Sequence, residues 1–170
     1  MTPGSLVLLH APGASAAAWG ELPEMLRSYG LDVIAPDVAE TGSRYVARVS
    51  LIITASGPDV PLVLVAHGDA GPLLPAVALA QRAAHRMVGG YVFVDAALPR
   101  PQGAHDHEQV PIPPDWPEAP CGYLRTHADR SASSGRDQAV REAGLRGWTV
   151  VEHEPPAAVA QSLSELVSTL

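Results

Sequence analysis

The sequence of 170 residues contains no lysine and no asparagine, so all 11 of its non-histidine basic side chains are arginine. Lysine Schiff-base chemistry is therefore closed to it, and so is an asparagine donor to an oxyanion. Cysteine is nearly absent as well: Cys121 stands alone and cannot form an internal disulfide, which makes a reducing cytosol the expected compartment. No apolar run approaches the length of a membrane span, and Met1-Thr2-Pro3-Gly4 has neither the charged flank nor the apolar stretch of an export signal. Positive charge is scarce. Eleven arginines against 18 acidic residues leave a net charge of −7 and a pI near 5.4. That balance does not collect phosphates, so neither nucleic acid nor a membrane is an expected partner. Repeats, charge runs and a second composition zone are missing too, which leaves one domain over residues 1–170.

What is present suffices for a core without metal or disulfide: 46% of residues are apolar and 17% charged. Abundant alanine with arginine in place of lysine looks like a GC-rich bacterial coding sequence. Six short apolar runs predict strands at Ser5 to His10, Leu31 to Ala35, Pro61 to Ala66, Gly90 to Asp95, Gly122 to Arg125 and Gly147 to Glu152. Runs such as Leu62-Val63-Leu64-Val65 lack polar alternation, as strands buried on both faces do. Helices are predicted between them at Ala16 to Tyr29, Arg44 to Ala55, Leu73 to Met87, Arg136 to Ala143 and Ala157 to Leu166, the last on the spacing of Val159, Leu163 and Leu166. Gly30 and Gly144 suit helix ends, and Pro72 suits a first helical turn. The alternation predicts an α/β fold, a three-layer α/β/α sandwich on a mostly parallel six-stranded sheet. Pro99 to Pro120 departs from the rhythm, holding seven of the 17 prolines, and reads as an irregular surface excursion.

Several phrases carry a resemblance. Leu6-Val7-Leu8-Leu9-His10-Ala11-Pro12-Gly13, then Trp19 and Val33-Ile34-Ala35-Pro36-Asp37, resembles the opening of an α/β-hydrolase domain. Leu62 to Gly71 looks like that family's strand, nucleophile elbow and helix start, and Tyr91 to Asp95 like its next strand. Gly122 to Arg125 with Asp129 resembles the strand that delivers the acid, and Trp148 to Glu152 with His153 the one that delivers the histidine. The order nucleophile, acid, histidine is the family's. The resemblance implies the strand order second, first, third, fourth, fifth, sixth. It also implies a minimal member, lacking two leading strands and a cap domain, whose uncovered edge and apolar surface predict a homodimer.

The machinery departs from the family in two places. With Ala66 and Ala70 as the flanking small residues, Gly68 stands where Ser, Cys or Asp should, and glycine has no nucleophile. A slip of one residue would make Asp69 the nucleophile. A serine replaced at Gly68 is another possibility. Pro12 falls at the second oxyanion donor and has no N–H, and Asp69 would bring a carboxylate beside the hole. What the resemblance retains is an acid–base pair, Asp129 with His153, able to move protons without a covalent step. His153 is expected in a loop after its strand, facing the crevice or solvent. His10 and His67 lie at strand ends over the sheet, where α/β folds bind ligands, and Ala11 and Pro12 belong to the same region. Asp95 is the substitute acid. His105-Asp106-His107-Glu108 reads as a solvated turn rather than a metal site, Cys121 reads as a packed hydrophobe, and no cofactor loop is present.

Two functional classes follow. One is a non-hydrolytic enzyme of cyclase, lyase or isomerase type acting on a small, largely apolar metabolite. The other is a catalytically inactive, hydrolase-like binding or partner protein. A hydrolase using Asp69, or an esterase whose serine was replaced at Gly68, comes third.

Overall fold

Aliphatic runs with no polar side must be covered on both faces, and a parallel sheet with helices above and below does this. In a computed structural model, which describes residues 2–100, 110, 112–126, 135–155 and 158–170, the runs form β1 (Ser5–Leu9), β2 (Asp32–Ile34), β3 (Leu62–His67), β4 (Val88–Val94), β5 (Cys121–Thr126) and β6 (Thr149–Glu154). Their order is β2-β1-β3-β4-β5-β6, and each neighbouring pair is parallel. This is the predicted three-layer α/β/α sandwich with the predicted strand order. The helices are α1 (Leu22–Ser28), α2 (Gly42–Ser56), α3 (Leu74–Ala83), α4 (Gly135–Leu145) and α5 (Val159–Thr169).

Side-chain alternation splits the core in two. Leu62, Leu64 and Ala66 of β3 pack with Tyr45, Val49 and Ile53 of α2 and Leu74 and Val77 of α3. Val63 and Val65 face the other way, onto Leu22 and Leu26 of α1 and Leu163 and Leu166 of α5. The stripe read for the last helix is thus its buried face, with Val159 partly buried against the same cluster.

The structure corrects several local expectations. The helix read at Ala16 to Tyr29 is a short 3-10 turn, Ala16–Trp19, then α1, because Gly20 takes a left-handed φ of 56° and Pro23 starts a new helix. α3 stops at Ala83, short of the expected Met87, and His85 turns left-handed so that β4 can begin at Val88. Pro72 lies inside the 3-10 turn Gly68–Leu73 and Pro75 occupies the first turn of α3 instead. Gly144 lies within α4, and the left-handed glycine that follows the helix is Gly147, at φ 75°. The backbone of His153 belongs to β6 rather than to a loop beyond it.

The stretch from Pro99 to Pro120 forms no helix or strand among its described residues, yet it is more than a surface excursion. Trp116 packs on Tyr91 (centroids 5.6 Å), Phe93 (6.3 Å) and Trp148 (6.3 Å), and Arg82 of α3 pairs with Asp115 at 2.7 Å. Aromatic area buried against the sheet outweighs the lack of regular structure there. The His105 to Glu108 cluster lies outside the described residues.

One close approach positions the turn after β3. A Cβ on Gly71 would overlap the carbonyl oxygen of Ala97, in the chain leaving β4. Gly71→Ala is expected to cost about 1–3 kcal/mol of stability, because backbone rather than a flexible side chain must move. Urea unfolding measures it, and a cost under about 0.5 kcal/mol, the range of neutral surface changes, would show that the approach is not constraining.

Candidate functional site

β3 ends in the middle of the sheet at His67 and turns straight into α3. Gly68 makes the turn with φ 58°, a left-handed conformation that side chains resist, and its carbonyl receives the Ala97 N–H at 3.0 Å. The left-handed turn therefore falls on Gly68. Asp69 does not have the left-handed φ and its side chain is exposed in the first turn. A Cβ built on Gly68 would lie 3.1 Å from the Cβ of Ala11, so the loop after β1 passes close to the turn and would have to give by a few tenths of an ångström for a side chain there.

That loop is a tight turn. Ala14 N–H donates to the Ala11 carbonyl at 3.0 Å with Gly13 at φ 85°, the pattern of a type II turn with Pro12 at its second position and glycine at its third. His10, just before it, is fully buried and fully used. Its Nδ1 lies 2.8 Å from the Ala11 carbonyl and its Nε2 accepts the Val38 N–H at 3.0 Å, which fixes a neutral ring with the proton on Nδ1. Tyr45 donates to the His10 carbonyl at 2.6 Å and stands edge-on to the ring. His10 thus ties β1 to the chain after β2 and leaves no ring nitrogen for a ligand.

His67 differs. It continues the α1 and α5 face of β3 and lines a cleft of about 550 Å³ together with Trp19, Leu22 and Met25 from the α1 side, Val94 and Asp95 after β4, Thr126 at the end of β5, and Val159 of α5. Trp19 packs edge-on against the imidazole at 5.6 Å. Burial pushes the His67 pKa below its ordinary value of 6.5, with Asp95 pulling it up and Arg136 adding to the fall. Asp95 is buried, at 8% exposure, and left-handed at φ 46°; its carboxylate accepts the Thr126 N–H at 2.7 Å and the Thr126 hydroxyl.

Among the sequence candidates, then, His67 and Asp95 share the cleft, Gly68 and Ala11 meet above the sheet, and His10 stands apart as a structural histidine. Asp129 lies outside the described residues, as does the side chain of His153. Sequence reasoning missed the walls: Trp19, Thr126 and the α1 residues. Thr126 had a signal, since it ends a parallel strand at the edge where α/β folds bind ligands. A second concavity of about 430 Å³, between Leu73, Leu98, Val110, Ile112 and Arg136, lies on the α3 and α4 side. Among the described residues no three His, Cys, Asp or Glu side chains gather as a metal would require, and no helix is long and apolar enough to cross a membrane.

No protein-family model and no curated protein matches the sequence. Solved structures do match the fold. An extracellular α/β-hydrolase from a Paenibacillus species superposes with TM-score 0.68 at 16% identity, over 98% of each chain, and is described as sharing structural and functional homology with tobacco salicylic acid binding protein 2. Tomato methylketone synthase I, complexed with 2-tridecanone, gives 0.69 at 12% identity over 99% of each chain. A pyrethroid hydrolase gives 0.65 at 15% identity, over 99% of this chain and 97% of the other. The chain has the α/β-hydrolase fold. The expectation of a cytosolic compartment is corrected by the first of these: a protein of this fold is extracellular, and a lone cysteine excludes an internal disulfide without requiring a reducing environment.

Because burial keeps His67 neutral, the unfolded chain takes up a proton before the folded one does. Stability therefore falls with pH through the region below 6.5 and is unaffected by this group above it. His67→Gln is expected to flatten that part of the acid dependence. Urea midpoints of both proteins across the interval measure it, and parallel curves would assign the acid sensitivity elsewhere.

Proposed function

We propose that this protein is a binding protein on a capless, minimal α/β-hydrolase fold with a degenerate nucleophile elbow, holding a small, largely apolar molecule in the cleft beside His67. One observation carries the reading: the left-handed residue of the turn after β3 is Gly68, and a Cβ there would come within 3.1 Å of the Ala11 side chain. Hydrolysis through an acyl-enzyme needs a nucleophile at that point and donors around it. Gly68 supplies no nucleophile, Pro12 has no N–H to offer, and the exposed Asp69 adds a carboxylate to the same turn. The cleft itself is concave and mostly apolar with a few polar groups, as small-molecule sites are. That a protein of this fold, methylketone synthase I, has been solved with an apolar ketone supports the same use of the scaffold.

A second reading is favoured by His67, a neutral imidazole in the cleft with a carboxylate nearby: non-hydrolytic proton transfer, with His67 as base and Asp95 stabilising its protonated form. The pair Asp129 and His153 belongs to that reading by resemblance alone. If any ligand is turned over, His67→Ala and His153→Ala distinguish the two pairs, since only the loss of the working base abolishes product.

The test of the binding reading uses the wild type and Gly68→Ser. Both are expected to hydrolyse p-nitrophenyl butyrate no faster than buffer, while 2-tridecanone raises the melting temperature of the wild type. Gly68→Ser should also lose about 1–2 kcal/mol, the cost of a left-handed side chain, and add the Ala11 contact to it. Ester turnover by purified wild type, or esterase activity restored by the serine alone, would overturn the reading.

A further inference from the structure

Buried carboxylates are paired with cations or neutralised, because desolvating an unpaired charge costs several kcal/mol. Asp95 breaks this pattern. It is 8% exposed and accepts hydrogen bonds only from Thr126, and among the described residues no cationic nitrogen lies within ion-pair distance of it. It is also held left-handed at φ 46°, a conformation unusual outside glycine and asparagine-like turns, with its N–H fixed on the Leu124 carbonyl at 3.0 Å. A left-handed backbone and a buried carboxylate with no cationic partner among the described residues coincide on one residue, and that residue lines the cleft.

The rest of the wall has the same sign. Glu21 stands exposed at the rim, no arginine contributes to the described lining, and the sequence has no lysine to reach in from elsewhere. Trp19 closes one side with an aromatic ring, a surface that attracts cations, and Leu22, Met25 and Val159 are apolar. An anionic ligand would meet two carboxylates and, among the described residues of the lining, no arginine. A neutral one would leave Asp95 as it is.

We propose that the cleft takes an organic cation, an ammonium group carried on an apolar body, with the charge seated on the Asp95 carboxylate and the body along Leu22, Met25 and Val159. The inference rests on the cleft being a ligand site, as the binding reading holds, and adds the charge of the ligand. Binding supplies a buried acid with a counter-ion that the described residues do not provide, so the gain is larger than for a surface ion pair.

Three probes with the same chain isolate the charge: octylamine, octan-1-ol and octanoate, titrated calorimetrically into the wild type and Asp95→Asn. The wild type is expected to bind the amine at least about tenfold more tightly than the alcohol, and octanoate least. Raising the salt concentration should weaken the amine and spare the alcohol. Asp95→Asn, which keeps an acceptor for the Thr126 N–H, should bring the amine down to the alcohol's affinity and leave the alcohol unchanged. Equal or weaker binding of the amine in the wild type overturns the charge assignment while leaving a ligand cleft in place. A preference that survives in Asp95→Asn also overturns it, moving the charge to Glu21, where Glu21→Gln would abolish it. Failure of all three probes to bind removes the cleft reading and this inference together. The salt series on the wild type alone decides the matter if the variant does not fold.

Discussion

A strand that ends inside a parallel sheet must reverse into a helix within a few residues while two neighbouring chains press on the turn. At β3 the backbone alone meets that constraint. Gly68 turns left-handed, its carbonyl is tied to Ala97, and Gly71 passes so close to the Ala97 carbonyl that no side chain fits. Everything at the upper edge of the sheet is placed by this turn. His67 precedes it and is directed to the α1 and α5 side by the strand's alternation, and the segment after β4 that carries Asp95 is held against it. The site is thus set by close backbone contact.

The large features were legible because they depend on burial, which composition records directly. Unbroken Val and Leu runs gave the strands, the family resemblance implied the sheet order, and the stripe on α5 gave its buried face. Local ends were less legible, because several conformations compete there for similar energies. Gly144 is the terminator that the sequence suggests, yet α4 runs past it to Leu145 and the left-handed turn falls on Gly147. Trp116 sits among prolines in a stretch that reads as surface, and its burial against Tyr91, Phe93 and Trp148 depends on residues far away in the chain.

The histidines show the same division at the site. His10 and His67 both end strands over the same edge of the sheet and were indistinguishable in sequence. Tertiary contacts separate them completely. His10 gives both ring nitrogens to backbone groups and becomes part of the frame, whereas His67 meets an aromatic ring and a cleft and remains available. No local signal could have made that distinction, because the Val38 N–H that consumes His10 arrives from 28 residues away.

Electrostatics then decides between uses of the one edge. Acyl transfer requires a site that stabilises developing negative charge, through N–H groups and positive neighbours. Here Asp69 follows the elbow, Asp95 is buried in the adjoining cleft, Glu21 guards its rim, and the described wall carries no cation. Such a field raises the energy of an oxyanion and lowers that of an ammonium ion by the same interaction, so a site tuned for one is detuned for the other. A glycine at the turn and the buried Asp95 carboxylate therefore fit the proposed arrangement together. A nucleophile placed at Gly68 would act against the charges around it, while a cationic ligand would complete them.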